Sequence, residues 1–192
     1  MKSLANFALF QTFWFAAVGG AARGQLWVGP VAVAVFVSAH LAMVPRGERR
    51  PEAGYLVGVT LVGGLVDTAL HAFAVTGFPT SPPGASFTWP QGLGPIPPPW
   101  ILSCWLAFAC LPRFSLGWLA GRPTLAALLG AVGGPLSYLA GVRLGATEVP
   151  GSTLTTVLVL AVEYAVLTPL MLALVPRSRA GSSSTTAALA GG

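Results

Sequence analysis

Six stretches of the chain are apolar almost without interruption, and short polar connections separate them. The third, GYLVGVTLVGGLVDTALHAFAVT over 54–76, has 23 residues, enough to cross a hydrocarbon core of about 30 Å at about 1.5 Å per residue. The others predict helices over 4–22, 26–44, 100–119, 124–145 and 153–175. The fourth has two readings, because Pro112-Arg113 interrupts it. It either stops near Leu111, with FSLGWL lying along the interface, or continues, kinked, to Leu119 with Arg113 snorkelling. The longer reading is preferred, since a dozen residues reach only about 18 Å.

Between these stretches, 45–53 (PRGERRPEA) is the most charged segment and reads as a loop. Residues 77–99 hold eight prolines and no charge. Helix and central strand are both excluded there, so an irregular cap on the membrane surface is expected, with Phe78, Phe87, Trp89 and Trp100 at the interface. The tail over 176–192 is low in complexity and reads as a disordered cytoplasmic extension of a domain over 1–175. The basic start and GGAA end of the first stretch resemble a signal peptide. Asn6, Gln11 and four aromatics (Phe7, Phe10, Phe13, Trp14) favour a retained helix instead.

Composition agrees with this pattern. The chain is 54% hydrophobic and 8% charged, with a mean hydropathy of +0.75; a soluble domain carries about 25% charged residues. The expected fold is therefore all-α, a polytopic membrane protein built as one bundle of six transmembrane helices. The net charge of +5 does not point to nucleic acid, because the basic residues lie in connections rather than in a stripe with aromatics. They set orientation instead. With the N-terminus inside, Lys2, Arg46, Arg49, Arg50, Arg113, Arg122, Arg177 and Arg179 are cytoplasmic, and only Arg23 and Arg143 are outside. This bias predicts both termini in the cytoplasm for a multi-pass membrane protein.

Few groups could carry chemistry. Counted from the outer ends of their spans, Asp67, Glu163 and Gln11 lie roughly 14–16 Å deep, Tyr138 about 10 Å and His71 about 8 Å. Asp67 and His71 are four residues apart and share a helix face. These five define a candidate polar pocket in the outer half of the bundle. A carboxylate at that depth costs roughly 2.5–3.5 kcal/mol, so its presence asks for a reason. The plainer reading makes Asp67 and Glu163 interhelical hydrogen-bonding groups. His40, near the cytoplasmic end, reads as a lone interfacial histidine. Arg143 reads as snorkelling outward, with a lipid phosphate or substrate anion as a further possible contact.

Gly130 and Gly134, and again Gly141 and Gly145, have GxxxG spacing and permit close helix approach. Pro135 frees a carbonyl that a neighbour must satisfy. Cys104 and Cys110 read as core residues on different helix faces rather than a disulfide. No metal-ligand spacing, nucleotide loop, catalytic triad order or internal repeat stands out, and no cofactor is expected.

GRPTLAALLGAVGGPLSYLAGVRLGA in the fifth span, NFALFQTFWF in the first, LVGGLVDTAL in the third and PPPWILSCWLAFA in the fourth carry a resemblance over most of residues 3–175. The chain resembles the bacterial domain of unknown function 2878 family. The resemblance implies a small integral membrane protein and carries over no catalytic residues. It also implies an association with enzymes that modify membrane fatty acids, such as cyclopropane-fatty-acyl-phospholipid synthases.

Taken together, the leading expectation is a non-enzymatic membrane protein that binds or moves a lipid or a small polar solute through the outer pocket. The alternative is a membrane-embedded enzyme or enzyme subunit acting on lipid, with Asp67, His71 and Glu163 as acid–base groups. A scaffold for lipid-modifying partners is a third reading.

Overall fold

A computed structural model describes residues 1–79 and 96–176. It forms six α-helices: α1 (Lys2–Ala21), α2 (Val28–Met43), α3 (Arg49–Ala72), α4 (Pro99–Ala109), α5 (Pro123–Leu144) and α6 (Thr153–Leu174). Among the described residues there is no strand, only an isolated antiparallel bridge between Gly77 and Glu148. Four helical segments, Lys2–Ala21, Arg46–Ala72, Pro123–Leu144 and Thr153–Leu174, are long and apolar enough to cross a membrane. α2 and α4 are shorter apolar helices. Large apolar side chains such as Val35, Leu61, Leu65, Val132 and Val162 stand exposed on the outer surface. Helices apolar on their outward as well as inward faces suit lipid better than water.

α4 is the hub, packed against α1, α2 and α3, while α5 and α6 pair closely with each other. The close approaches occur where side chains vanish. A Cβ on Gly63 would collide with the Trp105 ring, and one on Gly134 with the Tyr164 ring. Gly130 lies against the Tyr164 carbonyl and the Thr168 hydroxyl. The Gly130/Gly134 spacing thus marks the α5–α6 contact. Gly141 and Gly145 do something else: Gly141 faces the Thr147 side chain, and Gly145 caps α5 at φ +82°, a conformation that only glycine adopts freely. Cys104 and Cys110 are free thiols within the apolar interior.

The polar ends sort the helices into an alternating up-and-down order. At one end Lys2 donates to the Met43 carbonyl (2.9 Å) and Arg113 to the Pro176 carbonyl (3.0 Å). At the other, Thr156 donates to the Val75 carbonyl (2.8 Å) beside the Gly77–Glu148 bridge. The start of α1 and the end of α6 therefore share a face with the 45–53 connection.

Three expectations are corrected. α3 begins at Arg49 rather than residue 54, because a 3-10 turn over Arg46–Glu48 feeds straight into it, and it ends at Ala72, where Ala74 turns the chain at φ 53°. α4 stops at Ala109 instead of continuing, kinked, to Leu119; turns follow, then a 3-10 segment over Gly117–Leu119. Pro112 cannot donate to a helix ladder, and Leu111 and Pro112 are buried in protein, where irregular backbone is tolerated at membrane depth. Trp100 is not interfacial but buried with Val18 and Ala146. Phe87, Trp89, most of the proline-rich cap and almost all of the tail lie outside the described residues.

Candidate ligand-binding cavity

A cavity of about 510 Å³ lies between the α1–α4 side of the bundle and the α5–α6 pair. It runs most of the bundle's height, from Leu116 and Leu119 near one end to Phe78 and Thr147 near the other. Phe15 on α1 and Leu136 on α5 line it and are also exposed on the surface, so it reaches the lipid-facing side between these helices. Trp14 spans the gap there, donating from Nε1 to Ser137 Oγ (3.0 Å).

Of the five predicted pocket residues, Asp67, Gln11 and Tyr138 line this cavity. Asp67 accepts a hydrogen bond from Trp105 Nε1 at 2.6 Å. Trp105 is itself locked in place, with its indole over Gly63 and stacked on Tyr164 (centroids 5.5 Å apart, 13° between planes). Tyr164 in turn rests on Gly134. A ladder of Gly63, Trp105, Tyr164 and Gly134 thus crosses the bundle and fixes one oxygen of Asp67. Among the described residues, its other oxygen and Gln11 make no hydrogen bond. Tyr138 is less available. Its hydroxyl accepts from the Gly77 N–H (2.9 Å) and donates to the Glu148 carbonyl, tying α5 to the segment after α3.

His71 and Glu163 do not line the cavity. His71 Nδ1 faces the Thr76 carbonyl at 3.0 Å, and its ring packs on Phe78. Glu163 is 8% exposed, within electrostatic reach of Asp67, and neither of its carboxylate oxygens has a hydrogen-bond partner among the described residues. Arg143 is exposed in the last turn of α5, away from the cavity. Among the described residues no cluster of three or more His, Cys, Asp or Glu could hold a metal.

A second polar cluster, at the end shared by the start of α1 and the end of α6, is not the one the sequence singled out. His40 is not a lone interfacial residue but fully buried. Its Nε2 meets Glu52 Oε1 at 2.8 Å and its Nδ1 meets Asn6 Nδ2 at 3.4 Å. With Nε2 carrying the proton, each pairing has one donor and one acceptor. Asn6 Oδ1 accepts from Ser115, and Arg113 reaches Glu52 (2.9 Å) and Glu48. Arg113, read from the sequence as snorkelling inward, therefore pairs with these two acids. The missed signal was the placement of Glu48, Glu52 and Arg113 at the ends of neighbouring spans, where opposite charges can meet.

No curated protein and no solved structure matches the chain. The model of a family described as protein of unknown function (DUF2878) matches residues 3–170. The chain belongs to that family.

Proposed function

We propose that this is a multi-pass membrane protein, non-enzymatic, that binds a lipid-like amphiphile in the cavity between α1 and α5. The observation that carries the reading is the character of the cavity wall: long, aromatic and aliphatic, reaching the apolar outer surface, with the second oxygen of Asp67 and Gln11 among the polar groups left without a hydrogen bond by the described residues. Its volume falls within the about 300–1,000 Å³ typical of small-molecule sites, which likewise combine apolar walls with a few placed polar groups. An apolar tail gains from the wall, and a polar head has Asp67 and Gln11 to meet.

Gly133 offers the test. It lines the cavity, and a Cβ built there meets nothing within 4 Å. Gly133→Leu should fill the space without disturbing the helix contacts. Native mass spectrometry of gently purified protein should show bound amphiphile in the parent and a several-fold lower occupancy in Gly133→Leu, at equal thermal stability. Equal occupancy in both proteins would defeat the proposal.

We further propose six spans in an inner membrane with both termini cytoplasmic. The gathering of Lys2, Arg46, Arg49, Arg50 and Arg113 at the end shared by α1's start and α6's end supports this orientation. In a background without Cys104 and Cys110, Gly47→Cys and Gly151→Cys should react with an impermeant maleimide from opposite sides. Labelling of both from the same side would contradict it.

A further inference from the structure

We infer that the head of the bound amphiphile is cationic: a lipophilic ammonium whose charge pairs with Asp67 in the cavity wall. This rests on the amphiphile reading above. The described residues that line the cavity include one carboxylate, Asp67, and no Lys, Arg or His. An anionic head would meet a like charge and no cation. A neutral head could hydrogen-bond to Gln11 but would leave the carboxylate either uncompensated among apolar walls or forced to take up a proton, and a cationic head avoids both.

The other end of the bundle shows how this chain treats buried acids when the partner is built in. There Glu52 holds both His40 and Arg113, and Glu48 also holds Arg113. Among the described residues Asp67 forms no such ion pair. Its hydrogen bond comes from the neutral Trp105, and His71, one turn along α3, is within electrostatic reach but turns its Nδ1 to the Thr76 carbonyl. Glu163, within electrostatic reach and without a hydrogen-bond partner among the described residues, adds a second acid to the neighbourhood.

The wall supplies the rest of a cation site. Phe10, Trp14, Phe78, Trp100 and Phe108 line the cavity, and ring faces attract ammonium groups, most strongly where water is excluded. Trp105 does not serve this way, since its faces are taken by Gly63 and Tyr164. Its part is to hold Asp67. The ammonium can come from a free lipophilic amine or from an aminophospholipid headgroup.

The test uses the full-length protein in a neutral detergent and two probes of equal chain length, tritiated dodecyltrimethylammonium and tritiated dodecanol. The parent protein should bind the ammonium saturably and at least about tenfold more tightly than the alcohol. Asp67→Asn, whose amide oxygen can still accept from Trp105, should lose about tenfold or more for the ammonium and keep its affinity for dodecanol. Asp67→Glu should retain the preference. Equal affinity for the two probes in the parent, or an unchanged ammonium affinity in a folded Asp67→Asn, would overturn the cationic assignment while leaving an amphiphile site standing. Binding of neither probe would remove the amphiphile reading as well, and with it this inference. If Asp67→Asn does not fold, the parent's preference between the probes decides the matter alone. Competition by phosphatidylethanolamine vesicles, set against phosphatidylglycerol vesicles, would assign the ammonium to a lipid headgroup. Without such competition it is assigned to a free amine.

Discussion

Gly134→Leu is expected to abolish recovery of folded protein, while Gly133→Leu one residue earlier leaves it unchanged. The two glycines are neighbours on α5 but face different surroundings. A Cβ on Gly134 would fall on the Tyr164 ring, whereas one on Gly133 meets open space. Tyr164 cannot step aside, because it is stacked on Trp105 and Trp105 is seated over Gly63. A leucine at 134 must therefore separate α5 from α6 or break the stack. The cost lies at or above the roughly 3 kcal/mol that marks the upper end of ordinary overpacking. Size-exclusion profiles and thermal melts of both variants in detergent would check this. A monodisperse Gly134→Leu with the parent's melting temperature would show that α5 and α6 do not meet there.

The second large effect is expected at the polar end of the bundle. Arg113→Met removes the donor that serves Glu52, Glu48 and the Pro176 carbonyl together. Glu52 is fully buried, so it would keep His40 but lose the cation on its other oxygen. Breaking a buried pair from one side costs roughly 3–5 kcal/mol, because the remaining charge is left uncompensated. Adding Glu52→Gln should restore part of the loss, and the double variant should be more stable than Arg113→Met alone. The fraction of protein surviving a heat step would measure both. An Arg113→Met protein as heat-resistant as the parent would mean that the cluster contributes nothing to the fold.

Asp67 combines two roles that sequence reading sets against each other. One oxygen ties α3 to α4 through Trp105, and the residue also lines the cavity. A hydrogen bond that positions a carboxylate does not use up its second oxygen. Structural attachment and a place in the cavity wall therefore coexist in one side chain.

What the sequence determined by itself follows from local chemistry. Unbroken apolar runs must be helical where backbone groups cannot reach water, and this located six helices to within a few residues at most ends. Membership of the family was legible in the same runs, and so was a close helix approach at Gly130 and Gly134. The tertiary structure decided what depends on partners distant in sequence. α4 could end at Ala109 because neighbouring segments bury the turns that follow, a shelter that hydropathy does not record. His40, Glu52 and Arg113 met because the ends of α2, α3 and α4 converge, although they lie far apart along the chain. Glu163 was drawn into the candidate site by depth alone, and His71 by depth and by sharing a helix face with Asp67. Depth fixes height in a bundle but not direction around a helix, and only packing turned Asp67, Gln11 and Tyr138 toward one cavity and those two away from it.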